Sequence, residues 1–301
     1  MSFNSSSIRS VEFGVCLDVD NGERYCIVPS DKSVQDALKE MFVSTIDEIR
    51  KGGNVLERFS PSEKYGSNER LFLPLDSDLA LKYREVFATA NFAIDTHGLN
   101  EPSRLICYFA IFRDGTGGKA IAFRRAAQFK GVVEKNFVTF MNDTLKMMPD
   151  RLFKLDQDYD FLIMDQKIYI WRPSGFIFTA GMDEQIAACA MKSVEFVAKE
   201  IRCVNFDRLK EYVSKHKMAM RLIAAIRSRD DLADISKKHL KSECKEAGLK
   251  VYEENGVLFP EEGNEFGFLM LLDRRRYTVT LIDKKPETYE APSRHIAQRA
   301  E

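Results

Sequence analysis

Two aspartates and a lysine near the middle of the chain come closest to a catalytic set. Asp160, Asp165 and Lys167 match the residue types of a restriction-type nuclease core, in which two carboxylates bind Mg²⁺ and a lysine lies near the attacking water. Asp165 and Lys167 fall at the tip of a predicted hairpin, however, and Gln166 stands where such a core usually has an acidic residue. Since these residue types are also common in turns, a Mg²⁺-dependent nuclease is an alternative hypothesis rather than the favoured one.

The other motifs that could support chemistry are incomplete. The glycine-rich segment 114–120 is not a phosphate-binding P-loop, because Arg113 stands at the position of the first glycine and Ala120 at that of the hydroxyl residue. The six cysteines form no CxxC pair, and the four histidines, including His97 and His216, are scattered. We therefore expect a non-enzymatic chain without metal or cofactor, and we interpret the glycine-rich segment as a hairpin turn.

Positive charge is segregated along the chain, although the whole chain has a formal net charge of only −1. Residues 202–250 contain thirteen Lys or Arg against seven Asp or Glu. Lys237, Lys241 and Lys245 recur every four residues, which places them on one face of a predicted helix with Lys238 beside them. Such a face suits a DNA backbone, where each neutralised phosphate releases counterions.

Further basic residues extend this candidate surface. If the helix before the lysines is continuous, Lys210, Lys217 and Arg221 share a face, and Arg227 and Arg229 connect the two helices. Two more patches lie elsewhere in the chain. They are Lys119, Arg124, Arg125 and Lys130, and the run Arg274, Arg275 and Arg276 beside Tyr277.

The predicted DNA-binding set combines basic residues of the segment 202–250 with Arg124 and Arg125. Its members are Lys237, Lys238, Lys241, Lys245, Lys210, Lys217, Arg221, Arg227, Arg229, Arg124 and Arg125. The alternative is that these are ordinary solvated faces, balanced elsewhere by acids such as Glu253, Glu254, Glu261 and Glu262. No helix-turn-helix or RNA-recognition signature is present, so sequence-specific base contacts are not expected.

The elements that must position these residues begin with a β-hairpin. Apolar residues alternate from Val11 to Val19, and Asn21-Gly22 has the composition of a two-residue turn. An amphipathic helix follows, from a cap at Ser33 to Gly52-Gly53. A polar loop over 57–70, a helix over 77–90 and the weakly patterned segment 91–102 then lead to a predicted domain boundary near residue 100.

The rest of the chain changes from strands to helices. The predicted strands cover 105–112, 119–129, 137–145, the tight hairpin 161–171 and a short segment at 176–178. The predicted helices cover 186–201, 206–223, 232–249 and 266–272, with a hairpin across 254–256 and a loose polar tail after Lys284.

These patterns predict an α+β (mixed) fold. It has an N-terminal β-hairpin plus helices, then a mostly antiparallel sheet packed with a C-terminal helical block. The predicted domains are an N-terminal α/β domain over 1–100, a second α/β domain over 101–285 and a polar tail over 286–301.

The second half resembles a known family. A strand ends in Phe123-Arg124-Arg125, the hairpin DFLIMDQKIYIW follows from Asp160 to Trp171, and a turn is centred on Phe176. A helical block and the segment Phe268 to Asp273 come next, before a last strand. This order is similar to the KwaB-like family of the Kiwa anti-phage system, over roughly residues 105–285, and it consists of fold-defining apolar residues rather than catalytic motifs.

The resemblance implies a function that the composition permits. Proteins of that family resemble non-enzymatic effectors that bind DNA and act with a small membrane protein, KwaA, at the inner face of the bacterial membrane. It also implies a homodimer, for which the apolar helices between Ile186 and Ile226 offer a surface. No stretch reaches the roughly 18 apolar residues that span a bilayer, so we expect a cytoplasmic chain recruited to the membrane by its partner. A protein-interaction scaffold without affinity for DNA remains a further alternative.

Overall fold

The structure is a computed structural model that describes residues 3–20, 22–50, 56–65, 69–95, 104–126, 138–141, 144–147, 155–282 and 285–292. The contacts between residues divide the chain into two compact units. The first unit contains Met1–Arg58 and Asn68–Ala180. The second is discontinuous in sequence and contains Phe59–Ser67 and Gly181–Glu301.

The first unit is built on a nine-stranded sheet. Its strands and those of a separate small hairpin are β1 (Ile8–Val19), β2 (Gly22–Ile27), β3 (Glu57–Arg58), β4 (Leu71–Pro74), β5 (Ala93–Ile94), β6 (Leu105–Asp114), β7 (Lys119–Arg125), β8 (Val138–Met141), β9 (Thr144–Met147), β10 (Phe161–Met164) and β11 (Lys167–Ile170). The order in the large sheet is β3-β4-β11-β10-β7-β6-β1-β2-β5, and β8 pairs with β9. The edge pairs β2–β5 and β3–β4 are parallel, and the pairs between them are antiparallel.

Helices cover both faces of this sheet. The helices of the first unit are α1 (Lys32–Arg50), α2 (Leu81–Ala88) and α3 (Pro173–Thr179). On one face, Phe42 of α1 packs in a core with Phe112 and Leu162 of the sheet. On the other face, Tyr83 of α2 and Phe176 of α3 lie edge-on to the ring of Phe161, with ring centroids 4.9 and 5.1 Å apart. Burial of each such side chain stabilises the fold by about 1.5–3 kcal/mol.

The second unit is a helical block with two hairpins. Its elements are α4 (Met182–Glu200), α5 (Asp207–Lys215), α6 (Lys217–Arg227), α7 (Lys237–Glu246), β12 (Val251–Glu254), β13 (Val257–Pro260), α8 (Glu265–Leu272), β14 (Arg276–Ile282) and β15 (Lys285–Glu290). One apolar cluster joins the helices, with Val194, Leu209, Ile223 and Leu269 fully buried. β12 pairs with β13, and β14 pairs with β15.

The α+β (mixed) fold class is confirmed, and so are the hairpins that carry strong turn signals. At the β10–β11 turn, Asp165 and Gln166 have φ values of 51° and 59°, as a two-residue turn of the primed type requires. The sheet includes strands from both sides of residue 100, because β6 pairs with β1. The predicted helix cap at Ser33 is wrong by two residues, since the Asp31 carboxylate accepts the amide of Val34 at 2.9 Å.

Other predicted elements also differ from the structure. The predicted strand at 176–178 is α3, because Pro173 occupies the first helical turn, where its missing N–H costs nothing. The tail after Lys284 was predicted to be loose, but it begins with strand β15. Pairing with β14 and the stacking of Tyr277 on Tyr289 stabilise this strand. The predicted strand 137–145 is the hairpin β8–β9, and β4 was not predicted. Gly52 and Gly53, the predicted helix end, lie outside the described residues.

One glycine is required by the packing of α3 against the sheet. A methyl group at Gly175 would lie 2.4 Å from Cγ of Asp160, a carboxylate whose side chain is buried. Alanine in a helix stabilises the fold by about 1 kcal/mol relative to glycine. The clash with Asp160 destabilises the fold, because it displaces the buried carboxylate from Arg124. We therefore expect Gly175→Ala to lower the free energy of unfolding by about 1–3 kcal/mol in urea denaturation. Ser174→Ala, one residue earlier on an exposed position of α3, is the control and should have little effect. A Gly175→Ala protein as stable as the wild type would contradict this account.

Candidate nucleic-acid interface

Helix α7 positions the four lysines that the sequence singled out. The Ser236 hydroxyl accepts the amide of His239 and caps the helix, and Leu240 and Cys244 bury one side of it in the core. The remaining surface carries Lys237, Lys238, Lys241 and Lys245, which we call the α7 lysine face. The sequence prediction that they share one helix is confirmed.

Two of these lysines share one carboxylate. The Nζ atoms of Lys237 and Lys241 lie 3.0 and 2.6 Å from the two carboxylate oxygens of Glu253 on β12. These hydrogen bonds, that from Lys241 most strongly, lower the pKa of Glu253 to about 2. Glu253 is therefore ionised at any physiological pH and cancels one of the two lysine charges.

The other two lysines are exposed. In the part of the chain that the structure describes, neither Lys238 nor Lys245 has an ion pair with an acidic side chain. Lys238, Lys241 and Lys245 follow one line on the helix at spacings of three and four residues. The line is roughly 10 Å long at 1.5 Å per residue. The α7 lysine face is thus a short row of positive charge, partly neutralised at one side.

The basic residues predicted on the preceding helix do not form one row. The chain is extended at His216, which separates α5 from α6, so the continuous helix that would align Lys210 with Lys217 is wrong. Lys210 pairs with Asp207, and Lys217 is exposed. Arg221 donates two hydrogen bonds, of 2.9 and 2.6 Å, to one carboxylate oxygen of Asp183. These two hydrogen bonds join α6 to α4.

Arg227 and Arg229 also make contacts within the second unit. Arg227 donates to the Ser193 hydroxyl and lies over the ring of Phe196. Arg229 is nearly buried and pairs with Asp231, while it also donates to the carbonyl oxygen of Leu272. Both guanidinium groups therefore connect secondary-structure elements, and their exposed charge is smaller than the sequence suggests.

In the first unit, Arg124 is the centre of an acidic cluster. Its guanidinium lies within 3.3 Å of carboxylate oxygens of Asp156, Asp158 and Asp160. Burial raises the pKa of Asp160 above its usual range, and hydrogen bonds from the Arg125 amide and Arg124 act against that rise. Arg124 is thus a structural cation surrounded by three acids.

The neighbouring cations of that patch have different surroundings. Arg125 is exposed, and its guanidinium lies 3.7 Å from the ring centroid of Phe178. The Lys119 ammonium donates to the carbonyl oxygens of Phe87 and Thr89, and its burial lowers its pKa. Lys130 lies outside the described residues.

The three consecutive arginines after α8 differ from one another. Arg274, with φ 59°, is exposed and pairs with Asp231. Arg275 is buried against Asp273, and Arg276 pairs with Glu290. Arg274 is therefore the most exposed of the three, Arg276 is partly exposed and Arg275 is buried.

The residues of the nuclease hypothesis do not converge. Asp160 and Asp165 stand at opposite ends of β10, five residues and therefore roughly 16 Å apart. The Asp165 carboxylate accepts the amide of Phe3 at 2.8 Å, and Asp160 is held by Arg124. Among the described residues, no group of three His, Cys, Asp or Glu side chains could hold a metal ion. These two carboxylates cannot bind one Mg²⁺ in this arrangement.

Glu253 is the residue of this candidate site whose contact with the lysines the sequence did not predict. Its position in a neighbouring hairpin, twelve residues from Lys241, gives no sequence signal for the contact, since the hairpin β12–β13 must first fold back on α7. The chain thus contains an acid that competes with any anion for two lysines.

The pairing of Glu253 can be measured directly. Because its pKa is depressed in the folded state, the pairing adds stability above the ordinary pKa of 4.5 and loses it as the pH falls through about 2. We expect Lys241→Met to raise the pKa of Glu253 towards its ordinary value of 4.5. The check is an NMR titration of the side-chain carboxyl carbon in both proteins, with Lys245→Met as the control. An unchanged titration in Lys241→Met would contradict the bridging contact.

Comparison with known proteins adds a family to this geometry. No helix in the described parts of the chain is long and apolar enough to cross a membrane. No curated protein and no solved structure matches the chain. The model of the family described as Kiwa protein KwaB-like matches residues 105–281, which is more than half of the chain and includes α7. The chain therefore belongs to the KwaB-like family of Kiwa proteins and is a component of that anti-phage defence system.

Proposed function

We propose that this Kiwa component binds duplex DNA through the α7 lysine face, without sequence specificity, and interferes with phage DNA replication or expression. The observation that supports it is the row of Lys238, Lys241 and Lys245, in which Lys238 and Lys245 are exposed and have no acidic partner among the described residues. The subunit acts by binding rather than by catalysis.

The spacing of the row fits a phosphate backbone. One strand of duplex DNA carries a negative charge for about every 3.4 Å of helix axis, so a row of roughly 10 Å is long enough to contact more than one phosphate. Lysine ammonium groups are point charges on flexible stems, and they bind phosphate without recognising base edges. Such a surface binds DNA of any sequence with an affinity that falls steeply with salt.

Glu253 limits the affinity of this surface. A phosphate that approaches Lys237 and Lys241 must displace the carboxylate that already bridges them at 3.0 and 2.6 Å. The same carboxylate holds the two lysines in position before DNA arrives. Glu253 therefore preorganises the two lysines and at the same time lowers the affinity of the surface for phosphate.

The proposal also includes a partner and a location. A KwaA-like membrane protein recruits the chain to the inner face of the cell membrane, and the chain acts there as a homodimer. Family membership supports both statements. For the homodimer, α4 and α6 offer partly exposed apolar side chains, namely Met191, Phe196 and Met218.

Charge reversal at the two exposed lysines tests the DNA-binding surface. We expect Lys238→Glu/Lys245→Glu to weaken binding to duplex DNA and to reduce the salt dependence of log K by about two, one for each lost phosphate contact. Fluorescence anisotropy over a salt series, with Mg²⁺ present, measures both quantities. Intact DNA after the measurement accords with a non-catalytic subunit, whereas cleaved DNA would favour the nuclease alternative.

A matched control distinguishes the loss of contacts on the α7 lysine face from the effect of the changed net charge of the protein. Lys192→Glu/Lys199→Glu makes the same change of charge at two exposed positions of α4 that are also seven residues apart. Equal weakening in both double variants would remove α7 from the proposal. No DNA binding by the wild type at low salt would favour the scaffold alternative.

Removal of the attenuating acid should have the opposite effect. In Glu253→Gln, Lys237 and Lys241 become available to phosphate, so we expect tighter DNA binding and a salt slope larger by about one to two. The same anisotropy series measures it. Glu254→Gln, an exposed acid at the next position of β12, makes the same change of net charge and serves as the control. Equal affinities of the two variants would show that the bridge does not compete with DNA.

A further inference from the structure

A groove of about 540 Å³ lies in the second unit on the side of α7 away from the lysines. Leu240 of α7 and Leu272 of α8 are among the apolar residues that line it. His239, which is 84% exposed, and Tyr277, which is 47% exposed, stand at its rim. Its volume is within the range of about 300–1,000 Å³ that small-molecule sites occupy.

The charges of the groove neutralise one another. The carboxylate of Asp231 pairs with both Arg229 and Arg274. Arg276, which also lines the groove, pairs with Glu290. Two more acids, Asp234 and Glu243, line the same space. The groove therefore has no excess of positive charge for a phosphate, and it fits a flat, uncharged group.

The side chains around the groove supply the contacts that such a group needs. The Tyr277 ring, one face of which stacks on Tyr289, and the guanidinium of Arg274, whose side chain is 58% exposed, are planar surfaces of the kind on which nucleobases stack. The carboxylates of Asp234 and Glu243 accept hydrogen bonds from exocyclic amino groups. An apolar floor, planar walls and carboxylate acceptors together match a nucleobase better than an aliphatic or anionic ligand.

The groove is adjacent to the proposed DNA surface. Both lie on α7, whose diameter with side chains is about 10–12 Å, so a strand of about three nucleotides crosses from one to the other. We propose that the groove takes an unpaired nucleobase from a DNA strand whose duplex part lies on the α7 lysine face. This inference rests on the proposed function, and it deepens it by naming DNA with a single-stranded end as the preferred ligand.

The test compares two DNA probes that differ only at one end. One is a blunt duplex, and the other is the same duplex with a single-stranded overhang of about five nucleotides. Fluorescence anisotropy gives the ratio of their affinities for the full chain. We expect the overhang probe to bind about fivefold tighter or more, which is the contribution of one stacked base.

Two variants test whether the groove causes the preference for the overhang probe. Tyr277→Ala removes the ring, and Arg274→Gly removes the guanidinium. Glycine accepts the left-handed backbone at position 274, and Asp231 keeps its pair with Arg229. In both variants the ratio of overhang affinity to blunt-duplex affinity should fall towards one. Tyr277→Ala should bind the blunt duplex as tightly as the wild type does. Tyr252→Ala, which changes a tyrosine of similar exposure on β12, should keep the ratio.

Each outcome has a distinct meaning. Equal binding of the two probes by the wild type overturns the groove inference and leaves the proposed function standing. A preference that survives in both Tyr277→Ala and Arg274→Gly also overturns it, because the base is then bound elsewhere. If neither probe binds, the proposed function and the groove inference both fail.

Discussion

The first unit depends on the buried carboxylate of Asp160. Its oxygens accept hydrogen bonds from the Arg124 guanidinium at 2.6 Å and the Arg125 amide at 2.7 Å, at the end of β7. Its backbone carbonyl accepts the amides of Trp171 and Arg172, just before α3 begins. Gly175 of α3 must lack a side chain for this carboxylate to fit. A single residue thus fixes the end of one strand and the start of a helix, and a buried charge of this kind is stable only while all of its partners remain.

A buried ion pair also stabilises the second unit. Arg275 and Asp273 form a buried ion pair at 2.9 Å. The same guanidinium donates to the carbonyl oxygens of Ser62 and Pro292, at 2.8 and 2.9 Å. The pair therefore holds an early and a late segment of the chain against the end of α8. In both units buried arginines stabilise the fold, and the exposed row of lysines on α7 is the charge that the proposed function uses.

The sequence predicted what depends on neighbouring residues and missed what depends on distant ones. The β10–β11 hairpin was predicted from two short apolar strands on either side of Asp165-Gln166, and α7 lies within the helix predicted over 232–249. The α3 helix was missed because proline and glycine signal turns as well as helix starts. The α7 lysines share one helix as predicted, but the pairing of basic residues with Glu253, Asp183 and Asp231 depends on tertiary packing and could not be predicted.

The discontinuity of the second unit has a consequence for synthesis on the ribosome. Residues 59–67 belong to that unit, but the rest of it begins at Gly181, about 110 residues later. At roughly 5–20 residues per second, about 6–20 s pass before the rest of the unit begins to be synthesised. Arg275, which contacts Ser62, follows 213 residues after it. The first unit, whose last residue is Ala180, can complete its sheet during that interval. The order of translation therefore lets the sheet fold first, and α7 with its lysines is synthesised and folded later.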